Sequence, residues 1–134
     1  MFIKHLAALL LLALLGVGRA LAGDLVVIVN PAAAEPTRQQ ITDIYLGKDR
    51  AFLPLDQPEA APIRAAFYQR IADRDVAQMK ALWSRIVFTG RGLPPKELSD
   101  DAAVKKAVAA NPKAIGYIDR SALDASVKLA LTLN

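Results

Sequence analysis

The apolar positions of this chain fall into runs of two kinds. Asp24–Asn30, DLVVIVN, is continuous and β-branched, and Asn30-Pro31 closes it. A run without polar alternation predicts a strand buried on both faces. Pro36–Leu46 instead spaces Ile41, Ile44 and Tyr45 at helical intervals and stops at Gly47, where a helix-terminating glycine belongs. Phe52–Leu55 is a short candidate strand, weakened by Pro54. Pro62 stands where a first helical turn tolerates proline, and Ile63, Ala66, Phe67, Arg70 and Ile71 follow on one face. Asp75 to Gln78 fits a capping box. Val76, Met79, Leu82, Trp83 and Ile86 form the stripe of the helix it opens, which assigns Met79 and Trp83 to the core. Ser99 or Asp100 caps a further helix that ends near Asn111-Pro112. AIGYI (114–118) predicts a strand in which Gly116 marks a close backbone approach. Val127, Leu129, Leu131 and Leu133 then alternate with the period of a last strand. The order strand, helix, strand, three helices, two strands predicts an α/β or α+β lobe with a small, partly parallel sheet flanked by helices.

The N-terminus follows a different pattern. Leu6–Leu15 is apolar for only about ten residues, short of the roughly twenty that span a bilayer. Lys4 precedes it and Ala20-Leu21-Ala22 follows as a small-x-small site. These features predict a signal peptide at 1–22, cleaved before Gly23, export to the periplasm, and no membrane span afterwards. The alternative is an uncleaved anchor or an amphipathic N-terminal helix. The domain would be the 112 residues Gly23–Asn134, enough for one core.

Charge and composition narrow the chemistry. The net charge of +4 falls to +2 without Lys4 and Arg19, and there is no lysine or arginine run, which argues against a nucleic-acid partner. The chain has no cysteine, and its one histidine is His5, inside the expected signal. The domain therefore lacks imidazole and thiol, the usual general base, nucleophile and transition-metal ligands. A non-catalytic protein without metal or cofactor is the expectation.

Five segments, VVIVNP (26–31), QITDIYLGK (40–48), APIRAAF (61–67), WSRIVFTGRGLPP (83–95) and NPKAIGYI (111–118), resemble the phosphate-binding periplasmic proteins of phosphate ABC transporters. The resemblance is closer still to short single-lobe relatives of that family. It implies a single lobe of a type II periplasmic binding protein, with a small mixed sheet, over residues 23–134. It also implies phosphate or another small oxyanion as ligand. Full-length members hold the ligand between two lobes, and this chain resembles only the lobe carrying an Arg-x-Asp-x-Ser-Gly-Thr segment at a helix start.

In that register the family's arginine and aspartate fall on Gln57 and Glu59, and its Ser-Gly-Thr falls on Ala61, Pro62 and Ile63. Two hydroxyl donors, an arginine and a glycine N–H are thereby replaced. What remains is a helix mouth with the N–H groups of Ile63 and Arg64, the helix dipole, and the Arg64 side chain. Glu59, Ala61, Ile63 and Arg64 are thus the candidate ligand positions. Against this, Arg64 is also readable as a helix-surface arginine paired with Glu59 or Asp56. Thr89-Gly90-Arg91-Gly92 reads either as an anion nest that adds Arg91 or as a connector whose glycines serve turn geometry. Asp73/Asp75 and Asp100/Asp101 flank expected helix starts and read as caps. The functional expectation is a binding domain that holds an oxyanion weakly or not at all. The alternative is an interaction module that meets an envelope protein or a second copy of itself.

Overall fold

The computed structural model describes residues 23–134; the expected signal at 1–22 lies outside the described residues. In chain order the elements are β1 (Leu25–Val29), α1 (Arg38–Tyr45), β2 (Leu53–Asp56), α2 (Pro62–Ala72) and α3 (Val76–Phe88). They continue with β3 (Lys96–Glu97), α4 (Asp101–Ala110), β4 (Ala114–Asp119), a 3-10 turn (Arg120–Ala122) and β5 (Lys128–Leu133). The five strands form one sheet in the order β3-β2-β4-β1-β5. β2 runs parallel to β3 and β4, whereas β1 is antiparallel to both of its neighbours, β4 and β5. The mixed α/β architecture expected from the apolar pattern is present.

β1 is central, and every residue of it is buried. Its side chains divide between two cores, as the twofold period of a strand requires. Leu25, Val27 and Val29 join Ile115, Tyr117 and Leu133 beneath α1, α2 and α3, which contribute Ile41, Ile44, Tyr45, Phe67, Tyr68, Ile71 and Met79. Val26 and Ile28 join Ala114 and Ile118 on the opposite face, covered by Val104 and Val108 of α4. Burial on both faces explains why the run shows no polar alternation.

Caps set the helix boundaries. Thr37 and Gln40 form a capping box at α1, and Asp75 and Gln78 form the expected one at α3. Asp100, rather than Ser99, caps α4 by accepting from the Ala103 N–H at 2.8 Å. Asp73 does not cap α3: it follows α2 as its C-terminal cap, left-handed with φ 52°. Buried Asn30 joins strand to helix, donating to the Val108 and Ala109 carbonyls at the end of α4 at 3.1 and 3.0 Å. At Gly116 of β4 an added Cβ would stand 2.4 Å from Val104 Cγ1, so α4 reaches the sheet only over glycine.

Three details differ from the pattern reading. β5 is interrupted by a bulge: Val27 faces Leu131 while Ile28 faces Leu129, leaving Ala130 as the extra residue. The apparent alternation therefore does not put 127, 129, 131 and 133 on one face. Val127 enters the α4 core, Leu133 enters the other, and Leu129 is 37% exposed. Pro54 lies in a strand paired on both sides. The Leu53 N–H points to the Lys113 carbonyl of the β4 side at 2.8 Å, so Pro54 faces β3, which reaches only Leu55 and Asp56. β3 itself, two exposed residues, was not expected, because so short a strand has no periodicity to read.

Candidate functional site

The parallel strands β2, β3 and β4 end at the same edge of the sheet, where α2 follows β2 and α4 follows β3. This carboxyl edge is where open α/β sheets place their ligands. At its centre is Asp56, the last residue of β2, 2% exposed. Its Oδ2 accepts from the Tyr68 hydroxyl at 2.6 Å; its Oδ1 accepts from the Tyr117 hydroxyl and from the Gln57 N–H at 2.9 Å. Burial first, then the Asp56 charge and the hydrogen bond to it, push the Tyr68 and Tyr117 phenols well above their usual range. Tyr45 is raised for the same first reason and donates to the Leu55 carbonyl at 2.8 Å.

Arg64 turns back toward this centre. Its Nη1 donates to the Gln57 carbonyl at 3.0 Å and to Glu97 of β3, and its Nε lies 3.7 Å from Asp56 Oδ1. That Nε is buried without a hydrogen-bond partner. Burial alone would lower the guanidinium's pKa, but the Asp56 and Glu97 carboxylates outweigh it and raise the value. Asp56 is one of the two partners foreseen for Arg64; Glu59 instead faces Lys80 at 3.7 Å, with both exposed.

The mouth of α2 is narrower than expected. Pro62 has no N–H, Ala61 donates to the Pro58 carbonyl at 2.8 Å, and Arg64 donates to the Ala61 carbonyl at 3.0 Å. The Arg64 N–H is therefore not free, and Ile63 carries the remaining donor of the first turn. Ala61 and Ile63 line a cavity of about 600 Å³ together with Gln57, Asp100, Asp101 and Asp119. Gln57, 3% exposed, fills its inner end, donating from Nε2 to Asp101 Oδ1 at 2.7 Å and to the Tyr117 carbonyl at 3.0 Å. Asp101 Oδ2 accepts from the Asp119 N–H at 3.2 Å. Hydrogen bonds from Ser121 hold the Asp119 carboxyl below the usual carboxylate range. The α4 mouth thus already carries its own carboxylates, and they oppose an incoming anion.

Glu59 and Arg64 line a different cavity of about 530 Å³, between α3 and the segment Pro94–Glu97. Its floor is Asp56, Arg64 and Tyr68; its walls include Met79, Trp83, Val87, Phe88, Pro94 and Pro95. Arg91 belongs to neither: it lines a third cavity, of about 270 Å³, beside Arg50 and Leu93. The backbone around it closes α3, with the Gly90 N–H donating to Val87 and the Arg91 N–H to Ile86, both at 3.0 Å, and Gly90 at φ 72°. These are the two bonds of a Schellman motif, so neither N–H is available to an anion nest. The five candidate residues therefore do not converge on one point.

Sequence reasoning did not single out Tyr68, Tyr117 or Glu97. The tyrosines carried a signal, since a buried phenol needs a partner for its hydroxyl and Asp56 ends an apolar strand beside them.

Among solved structures, the chain is similar to an ABC-type phosphate transport receptor from Vibrio cholerae, with a TM-score of 0.62 and 18% identity, over 80% of this chain and 46% of that one. It is also similar to a putative phosphate ABC transporter substrate-binding protein with bound phosphate from Clostridium perfringens. There the TM-score is 0.63 and the identity 20%, over 81% of this chain and 45% of the other. The fold is thus part of the fold of phosphate ABC transporter substrate-binding proteins, and the chain covers less than half the length of these two. No protein-family model matches the sequence, and no curated protein does.

Proposed function

We propose that this is an exported, periplasmic domain of the substrate-binding type, non-catalytic, in which an oxyanion such as phosphate is held weakly or not at all. The observation that carries this reading is the internal occupation of the carboxyl edge. Gln57 and Asp101 bond to each other between the α2 and α4 mouths, and Arg64 is engaged by Asp56, Gln57 and Glu97. A phosphate dianion entering there would meet Asp100, Asp101 and Asp119 with the Ile63 N–H as the nearest open donor of α2. Glu59, Ala61, Ile63, Arg64 and Arg91 remain the positions at which residual oxyanion contact is to be sought. Titration calorimetry with phosphate and sulfate at low salt tests this: heat that saturates in the micromolar range overturns it.

A second reading, an envelope interaction module that has lost its ligand, is favoured by the exposure of Phe88 (92%) and Leu93 (81%) at the end of α3 and just after it. Light scattering tests whether a second copy covers them. Among the described residues no helix is long and apolar enough to cross a membrane.

A further inference from the structure

We propose that the cavity between α3 and Pro94–Glu97 binds a small carboxylate with an apolar body, which takes the place of Glu97 on Arg64. The inference rests on reading the chain as a binding domain and goes beyond it, because it assigns to the Arg64 side of the site a ligand class other than phosphate.

The cavity, at about 530 Å³, lies within the range of small-molecule sites, roughly 300–1,000 Å³. Its walls are apolar, with Trp83, Val87, Phe88 and Pro94 in reach of a ligand, and its floor holds a single guanidinium. Such a site combines a hydrophobic lining with a few orienting polar groups, here Arg64 with Asp56, Glu59, Lys80, Ser84 and Glu97 around it. The guanidinium already holds a carboxylate, that of Glu97, which comes from a two-residue strand and is 55% exposed. Of this pair Arg64 is 13% exposed and Glu97 55%, so Glu97 can turn into solvent while Asp56 and the Gln57 carbonyl keep Arg64 in place. Arg64 Nε is turned to Asp56 Oδ1 at 3.7 Å, so the incoming carboxylate would take the terminal edge of the guanidinium, where Nη1 and Nη2 offer the bidentate recognition that arginine favours.

Charge selects the ligand class. Asp56, Glu59 and Glu97 face Arg64 and Lys80 around this cavity. A monocarboxylate that displaces Glu97 adds one negative charge, and the half-exposed Glu97 carboxylate turns to water as it leaves Arg64. A phosphate dianion would bring two charges beside buried Asp56, and would leave the apolar walls unfilled. An alcohol of the same shape would fill the walls but leave the guanidinium without its partner.

The test is calorimetric titration of the protein expressed from its full-length sequence with 3-phenylpropionate, the matched 3-phenylpropanol, and inorganic phosphate. The carboxylate is expected to bind with a Kd on the order of 10–100 µM, within reach of a ligand of this size. The alcohol should bind at least about tenfold more weakly, as expected where a charge-assisted hydrogen bond is lost. Glu97→Gln, at an exposed position, should tighten carboxylate binding several-fold. A purely structural Glu97 would not produce that result. Phe88→Ala, also exposed, should weaken it, and Arg64→Lys, which keeps a cation beside Asp56, should weaken it about tenfold. No heat from the carboxylate at millimolar concentration, equal binding of the alcohol, or no tightening in Glu97→Gln overturns the proposal. The phosphate arm reads the oxyanion proposal separately: micromolar phosphate binding defeats that reading whatever the carboxylate does.

Discussion

Tyr117 donates its hydroxyl to Asp56 across the β2–β4 boundary, and its ring lies flat against Phe67, with centroids 3.9 Å apart and 5° between planes. One side chain thus ties the buried carboxylate to the aromatic core through both its polar and its apolar part. Removing the hydroxyl in Tyr117→Phe leaves the stack in place and takes one donor from a buried charge. The expected loss is about 1–3 kcal/mol, read as a lower urea midpoint with an unchanged denaturant slope.

The same arrangement fixes the alkaline behaviour. The three tyrosines of the chain, Tyr45, Tyr68 and Tyr117, are all buried with phenols raised above their ordinary value of 10.0. The native state therefore keeps its protons where the unfolded chain releases them. Stability is full below pH 10 and falls as the pH rises above it, by up to about 1.4 kcal/mol per pH unit for each phenol. Tyrosinate absorbance should be absent from the folded protein at pH 10 and should appear in one step with unfolding. Gradual ionisation of folded protein near pH 10 would contradict this burial.

Gly116→Ala sets a methyl 2.4 Å from Val104 Cγ1. It should cost about 1–3 kcal/mol, the usual penalty of overpacking. Val104→Ala in the same chain should recover part of that loss, so that the two substitutions are non-additive in a double-mutant cycle.

Asp75→Ala removes the N-terminal cap of α3 and half of its capping box. A loss of about 1 kcal/mol in thermal or urea unfolding is expected, with ligand titrations unchanged, because Asp75 lines none of the three cavities.

Much of the fold was legible because local chemistry and tertiary context agree. β1 is apolar throughout because both its faces are covered, and Asp75 and Asp100 cap where their side chains can reach the first turn, whereas the Thr37–Gln40 box was not read. Gly116 announced the approach of α4. The bulge at Ala130 was hidden, since a bulge changes which residues share a face without changing the apolar spacing. The site was legible only as a set of positions. Arg64 was visible as a helix-mouth cation with Asp56 as one of two possible partners, but its bond to Glu97 depends on β3, a pairing with no sequence signature. Gln57 read as a lost arginine. Its bonds to Asp101 and the Tyr117 carbonyl join residues more than forty positions apart and arise only when α4 and β4 meet β2.

The occupied carboxyl edge is the centre of this account, and the amide resonances of Ile63 and Gln57 report on it most directly. In a phosphate titration followed by nitrogen–proton NMR, the account predicts small shifts at these two amides that do not saturate below about 1 mM, the level at which binding is worth only about 4 kcal/mol. Saturating shifts at Ile63 and Gln57 in the micromolar range would contradict it, because phosphate would then have displaced the contacts between Gln57 and Asp101.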